Sequence, residues 1–293
     1  SISLPKDAYI EYAFLKKGKH IPDPYNLRSV PNGFGSTNHY FYMPNALISP
    51  LTRLRREFPA GTISKFRVPT DDLLSGTKRR VTLYNPPVAG PYPLLLVLDG
   101  QDYQKRGRLT RIVDNLIGLR KMQPVGIAMV DSVSCTRTAE YACSEATMAF
   151  LVDMVLPLAR KELNVLQSQD SPANYGILGA SMGGLMALFT ALRAPHLFGK
   201  VLSQSGAFSH IVAEPVIFDL VNCYKGENKP SVWMDVGRME TLLSGNQRMR
   251  DLLEVKGFLA GYREYSGGHN YTSWRNDIWY GLEALFPPRS STE

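Results

Sequence analysis

One short stretch of this sequence is built for nucleophilic chemistry: Gly179-Ala180-Ser181-Met182-Gly183, with Gly184 beyond it. The G-x-S-x-G spacing fits a sharp turn from a strand into a helix. Such a turn strains the serine backbone, and the glycines remove the Cβ atoms that would meet the adjoining strand and helix. It lifts Oγ above the sheet and aims a helix N-terminus at the reaction centre. Five residues of this kind occur by chance, so context decides. Here Tyr175-Gly176-Ile177-Leu178 reads as a short apolar strand before the turn, and Leu185 to Leu192 reads as a helix after it. The bland alternative is a glycine-rich turn that only connects the two.

A serine hydroxyl is a poor nucleophile without a base. There are five histidines. His20 and His39 lie in the N-terminal segment, His196 follows the elbow helix, and His210 sits in a loop after Ser205-Gly206. His269, in Ser266-Gly267-Gly268-His269-Asn270, comes directly after the last expected strand and before the last helix. A base for an elbow serine sits on a loop at the C-terminal edge of the strands and follows the acid in chain order. His269 meets both conditions. The acid is expected near Asp235-Val236-Gly237-Arg238-Met239-Glu240. Asp235 falls within a strand and Glu240 in the loop beyond it, so Glu240 is favoured and Asp235 is the alternative.

Two backbone donors are needed for an oxyanion. The N–H of Met182 is one. The other is expected from Asp99-Gly100-Gln101-Asp102-Tyr103, with Gln101 first and Asp102 next, because Gly100 lets the chain approach a substrate. Arg137, Tyr103 and Trp274 are the expected substrate-binding residues. Arg137 would grip an anionic or catecholate-like group bidentately, or else pair with Glu140 three residues on. Trp274 and Tyr271 would line a pocket for an aromatic group, although at helical spacing such residues are more often core.

Positioning these groups requires a particular order of elements. From about residue 61, short apolar runs alternate with longer helical patterns, as in a mostly parallel sheet with helices on both faces. The expected strands are 80–84, 94–98, 125–130, 175–178, 200–204, 231–236 and 262–265; the expected helices are 109–119, 145–163, 185–192, 249–255 and 271–285. Residues 1–60 differ in character, with aromatic runs such as Tyr9 to Phe14 and His39 to Met43 separated by Pro, Asn and Gly turns. They read as a short β-like N-terminal extension, too small to hold a core alone, with 61–293 as the catalytic domain.

Composition narrows the class. The formal net charge of +7 is spread in small clusters such as Arg53-Leu54-Arg55-Arg56 and Lys78-Arg79-Arg80, with no run of five like charges. No nucleic-acid motif accompanies it, so a small acidic ligand is a better fit than nucleic acid. Three cysteines, Cys135, Cys143 and Cys223, make no disulfide framework. They are expected as reduced thiols, with a Cys135–Cys143 bridge as the oxidising alternative. No apolar stretch approaches the roughly 18 residues of a membrane helix, no metal-ligand cluster is visible, and the first residues lack a signal-peptide pattern. The expectation is a cytoplasmic enzyme with no cofactor, no metal, no nucleic acid and no membrane, acting on a small-molecule ester.

With these residues in place, the chain resembles the esterase family of α/β-hydrolases that includes enterochelin esterases, feruloyl esterases and S-formylglutathione hydrolases. The resemblance runs from about 62 to 286 and rests on Leu98-Asp99-Gly100-Gln101, the 179–184 elbow, Leu202-Ser203-Gln204-Ser205-Gly206, Gly237-Arg238-Met239-Glu240 and Gly267-Gly268-His269 with Trp274. It implies the α/β-hydrolase fold and a serine esterase working through an acyl-enzyme, with a siderophore triester of enterochelin type as the suggested substrate. The enterochelin-esterase branch has a similar Gly-Arg-x-Glu stretch, which supports Glu240. That branch also carries an N-terminal β-sandwich module, and Asp23-Pro24-Tyr25-Asn26 and Tyr42-Met43-Pro44 look like its last part. Alternatives are a carbohydrate acetyl or feruloyl esterase, a generalist short-chain esterase, or a non-catalytic ligand-binding relative.

Overall fold

A computed structural model describes residues 3–33 and 35–289. The N-terminal residues form β1 (Tyr9–Tyr12), β2 (Phe14–Lys16), β3 (Lys19–Ile21), β4 (Ser29–Pro31) and β5 (Thr37–Tyr42). β5 is the middle of a three-stranded antiparallel sheet between β1 and β4, while β2 and β3 make a separate hairpin. Alternate aromatics carry this sheet: Tyr9, Tyr40 and Tyr42 pack ring against ring on one side, and Tyr12 meets Phe14, His39 and Phe41 on the other. The sheet is tied to the rest of the chain by the Tyr9 N–H, which donates to the Ser266 carbonyl at 3.0 Å, just upstream of His269.

The main sheet contains β6 (Thr62–Pro69), β7 (Lys78–Asn85), β8 (Leu94–Leu98), β9 (Gly126–Val130), β10 (Tyr175–Ala180), β11 (Lys200–Gln204), β12 (Ser231–Gly237) and β13 (Leu259–Tyr265). Their order is β13-β12-β11-β10-β8-β9-β7-β6, with β8 to β13 parallel and β7 antiparallel to both neighbours. Every residue of β8, β9 and β10 is buried, which is why these strands read as unbroken apolar runs. Alternation along β8 splits the core: Leu94, Leu96 and Leu98 face one layer, and Leu95 and Val97 the other.

The helices are α1 (Gly100–Lys105), α2 (Leu109–Gly118), α3 (Arg137–Tyr141), α4 (Glu145–Ala149), α5 (Leu156–Glu162), α6 (Met182–Arg193), α7 (Glu214–Asn222), α8 (Leu243–Lys256) and α9 (Tyr271–Leu285), with a π-helical stretch, Phe150–Val155, joining α4 to α5. Ile112 and Leu116 of α2 pack with Ile278 and Leu282 of α9 on one face of the sheet. Phe150, Leu156, Leu188, Ile217 and Met249 pack on the opposite face. Truncating a fully buried member such as Leu96 to alanine costs about 2–5 kcal/mol.

The expected strand 94–98, strand 200–204 and helix 271–285 coincide with β8, β11 and α9. Four elements of the main sheet and its helices lie outside the expected set. β6 is the outermost strand and buries only Val68, so it shows no apolar pattern. α1 and α3 are too short for a period to develop, and α7 is a nine-residue helix introduced by Pro215. All three cysteines are free thiols. No helix among the described residues is long and apolar enough to cross a membrane.

Candidate active site

The loops at the C-terminal ends of β8, β9, β10 and β13 meet around a cavity of about 250 Å³ whose walls include Asp99, Ser181, His269, Tyr271 and Trp274. This edge of a parallel sheet is where open α/β folds bind their ligands.

Ser181 has φ 59° and ψ −123°, a conformation that costs a non-glycine residue about 1–3 kcal/mol. Neighbouring backbone holds it there. Its N–H donates to the Gln204 carbonyl at 2.9 Å, and its own carbonyl accepts from the Ala207 N–H at 2.9 Å. Gly179 is dictated by the same turn, because a Cβ there would lie 2.2 Å from the Gly183 carbonyl oxygen. α6 leaves the elbow and is buried from Met182 to Leu192, so it cannot shift without disturbing the core.

His269 lies in the five-residue loop between β13 and α9. Its Nδ1 meets Glu240 Oε2 at 2.5 Å, and its ring stands edge-on to the Trp274 indole with centroids 4.9 Å apart. With Nδ1 engaged, Nε2 is the nitrogen left for exchange within the cavity. Among the described residues, no other histidine borders this cavity: His20 contacts Ser36, and His39 accepts from the Asp23 N–H.

Glu240 is three residues beyond β12 and its side chain is only 2% exposed. Its Oε1 accepts from the Gly237 N–H at 2.6 Å and from the Ser205 hydroxyl at 2.7 Å. Two further bonds, Arg238 N–H to the Tyr265 carbonyl and Met239 N–H to the Gly267 carbonyl, lace the acid loop to the histidine loop. That approach is close enough for a Cβ on Gly237 to fall 2.4 Å from the Gly267 carbonyl oxygen. Asp235 is placed differently. It is wholly buried, both oxygens receive the Gln204 amide at 3.2 Å, and burial, with repulsion from Asp277, pushes its carboxyl well above the usual range.

Across the cavity, Met182 and Gln101 each fall in the first turn of a helix, α6 and α1. First-turn N–H groups have no acceptor in their own helix. Asp99, in the left-handed region at φ 55°, starts the α1 turn. Arg137 clamps its carboxylate through Nε at 2.7 Å and Nη2 at 2.6 Å, and the Ser132 hydroxyl donates to it at 2.6 Å. Nη2 also donates to the Ala180 carbonyl at 3.1 Å, tying this wall to the elbow. Burial works against the Arg137 charge, but the hydrogen bonds and charge of Asp99 overcome it and raise its pKa. The Gln101 side chain is committed to Ser132, donating to its Oγ at 3.0 Å and accepting from its N–H at 2.9 Å.

Two expectations are corrected here. Arg137 does not pair with Glu140. That carboxylate takes both terminal nitrogens of buried Arg79, at 2.8 and 3.0 Å, because α3 turns Arg137 toward the cavity and Glu140 toward the core. Tyr103 is not on the cavity wall. It is 1% exposed, packs edge-to-face on Tyr271 and donates to Gln204 at 3.0 Å, because α1 directs it inward. Trp274 borders the cavity, as expected, and its indole N–H donates to Ser205 at 2.9 Å. Residues not singled out from the sequence include Ser205, which the strand-end rule could have flagged because it directly follows β11. Asn32, Gly33 and Arg106 also border the cavity. Arg106 links them to it, donating to the Pro31 carbonyl at 3.2 Å and lying 4.5 Å over the Tyr271 ring. No local signal connects residue 32 to residue 181.

An eight-stranded sheet with one antiparallel strand, a strained serine at the β10–α6 turn and a histidine loop after the last strand define the α/β-hydrolase fold. The chain belongs to the esterase family described as "Putative esterase", whose family model matches residues 74–285. It is 28% identical over 227 residues to the iron(III) enterobactin esterase of Dickeya dadantii, covering 71% of this chain and 52% of that protein. To the iron(III) enterobactin esterase of Escherichia coli K12 it is 26% identical over 279 residues, covering 92% and 68%. This chain thus spans about half of the Dickeya protein's length and about two thirds of the E. coli protein's. The ferric enterobactin esterase of Salmonella typhimurium superposes with a TM-score of 0.80 at 22% identity, over 96% of this chain and 79% of that one. A ferulic acid esterase superposes with a TM-score of 0.66 at 18% identity, over 79% of this chain and all of that one. At these identities the superpositions speak to the fold.

Proposed function

We propose that this chain is a serine esterase that hydrolyses carboxylic esters through an acyl-enzyme, and that its substrate is a catechol-bearing ester of the enterobactin type. The observation that carries the reading is the Glu240–His269 pair at 2.5 Å, facing the same cavity as a serine held at φ 59°.

In this reading Ser181 Oγ attacks the ester carbonyl while His269 Nε2 takes its proton. Glu240 orients the ring through Nδ1 and stabilises the imidazolium. The N–H groups of Met182 and Gln101 receive the negative charge that develops on the carbonyl oxygen. Collapse of the tetrahedral intermediate breaks the C–O bond, and His269 returns the proton to the leaving alkoxide. Water, deprotonated by His269, then attacks the acyl-Ser181 ester and releases the acid. The aromatic faces of Tyr271 and Trp274, with the Arg137 guanidinium and the Ser132 hydroxyl nearby, suit a hydroxylated aromatic acyl group. The relatives named above as iron(III) enterobactin esterases support that substrate class.

Covalent labelling with a fluorophosphonate tests the mechanism: wild type should label and Ser181→Ala should not. A folded wild type that resists labelling would instead favour a ligand-binding role. Product analysis on a ferric triscatecholate trilactone, beside feruloyl, acetyl and short-chain aryl esters, tests the substrate. Preferential turnover of feruloyl or acetyl carbohydrate esters would replace the siderophore assignment.

A further inference from the structure

We propose that Ser205 is a positioning residue for the triad acid: its hydroxyl, locked by Trp274 and Tyr265, fixes the orientation of the Glu240 carboxylate toward His269. This inference rests on the serine-hydrolase reading above and adds a device to it.

The argument begins with an outlier. Ser205 has φ 48°, the left-handed region where side chains other than Gly, Asn and Asp are uncommon. It is completely buried, and its N–H is fixed to the Asp235 carbonyl at 2.6 Å. Glycine would sit there more cheaply, so the strain of a serine points to use of its side chain.

Counting donors and acceptors shows what that use is. A hydroxyl offers one proton and two lone pairs. Around Ser205 Oγ lie the Trp274 indole nitrogen at 2.9 Å, the Tyr265 hydroxyl at 3.2 Å and Glu240 Oε1 at 2.7 Å. The indole can only donate, so it takes one lone pair. The carboxylate can only accept, so it takes the Ser205 proton. Tyr265 is left to donate into the second lone pair. One rotor satisfies all three partners, and the Ser205 O–H points at Glu240.

Oε1 then holds two donors, the Ser205 hydroxyl and the Gly237 N–H at 2.6 Å. Turning the carboxylate out of this plane would break both bonds, so the oxygen opposite them stays directed at His269 Nδ1. Trp274 contributes twice, clamping Ser205 through its nitrogen and bracing the imidazole with its ring edge. Because the acid works by orienting the base, the effect should fall on kcat and spare KM.

The test is a double-mutant cycle in the full chain. Ser205→Ala should lower kcat by about 10- to 100-fold, the worth of one hydrogen bond to a charged group, with KM nearly unchanged. In a Glu240→Ala background the same change should cost no more than about twofold, since Ser205 acts only through Glu240. Trp274→Phe, which keeps a ring and removes the donor, should show the same dependence with a smaller loss. An equal loss in both backgrounds marks a structural role and overturns the proposal, as does no loss in either. A second readout needs no turnover. The far-downfield His269 Nδ1–H proton resonance should shift or broaden in folded Ser205→Ala and Trp274→Phe, and an unchanged resonance overturns the proposal. Activity surviving in Ser181→Ala would sink the hydrolase reading instead, and the resonance would still decide the role of Ser205.

Discussion

The two walls of the cavity are built on the same plan and differ in one chemical respect. Each has a carboxylate with a 2% exposed side chain holding a cation-capable partner that reaches the cavity: Glu240 holds His269, 36% exposed, and Asp99 holds Arg137, 26% exposed. Each carboxylate also takes a serine hydroxyl, from Ser205 and Ser132. The guanidinium keeps its proton at any working pH, whereas an imidazole gives its proton up and takes it back. One wall can therefore move a proton, and the other can only fix charge and backbone. What differs is the identity of the partner, not the architecture around it.

The sharpest break of this symmetry is at the serine between the walls. Ser181→Ala is expected to lower kcat on a carboxylic ester by a factor on the order of 10⁴ or more, with His269→Ala nearly as severe. The two should be strongly non-additive when combined, since both serve one step. Arg137→Ala, the corresponding deletion on the opposite wall, should retain more activity than either. Steady-state kinetics with matched circular dichroism checks the ordering, and an Arg137 variant as inactive as Ser181→Ala would make the Asp99 wall part of the reaction itself.

The next contrast removes each carboxylate in turn. Glu240→Ala should cost on the order of 10²-fold or more in kcat, because the acid orients the ring, and a smaller stability loss of about 1–2 kcal/mol, because the Gly237 N–H and Ser205 hydroxyl lose their acceptor. Asp99→Ala strands the Arg137 guanidinium. Losing one partner of a buried pair costs about 3–5 kcal/mol, and the partial exposure of Arg137 lowers that to about 2–4 kcal/mol. Urea unfolding should therefore separate the variants, with the Asp99 change showing mainly in stability and the Glu240 change mainly in kcat. The reverse pattern would mean the roles of the walls are exchanged.

A milder variant probes the layer beneath both walls. Tyr103→Phe removes the bond to Gln204 at 3.0 Å and keeps the ring packed on Tyr271. The expected loss is about 1 kcal/mol of stability with KM unchanged. A clear rise in KM for an aromatic ester would return Tyr103 to the substrate-contacting set.

Legibility in the sequence follows the range of the interaction that fixes each residue. The elbow was readable because its pattern fits within five residues and a clash between positions 179 and 183 demands the first glycine, and β8 because burial on both faces leaves an unbroken apolar run. The pairing of His269 with Glu240 was readable from chain order together with their places in the loops beyond the last strand and beyond the strand that holds Asp235. Directions of side chains on short helices were not. Tyr103 and Arg137 sit on α1 and α3, six and five residues long, where no periodicity tells inside from outside. The Arg79–Glu140 pair spans 61 positions, and Asn32 reaches the cavity from the turn after β4. Such contacts are set by tertiary packing, which leaves no mark on neighbouring sequence.

The smallest expected effect is at the carboxylate that the site passes over. Asp235 precedes Glu240 by five positions, but it is held by Gln204 beneath the cavity, and burial and the nearby Asp277 raise its pKa. A carboxyl raised in the folded state stays protonated there while the unfolded chain releases its proton near pH ~3.9. Above that point the unfolded chain binds fewer protons than the folded one, so this group's contribution to stability declines as pH rises. Asp235→Asn removes the titration. Relative to wild type, the variant should show a constant offset at acid pH and then gain stability progressively as pH rises past about 4. Hydrolysis at neutral pH should stay within about twofold of wild type, because Asp235 acts on no proton in the proposed cycle. Urea midpoints measured from acid to neutral pH, beside kcat/KM, check both halves. A crippled Asp235→Asn enzyme with a harmless Glu240→Gln would transfer the role of triad acid to Asp235, and the Glu240–His269 wall would lose its distinction from the wall opposite.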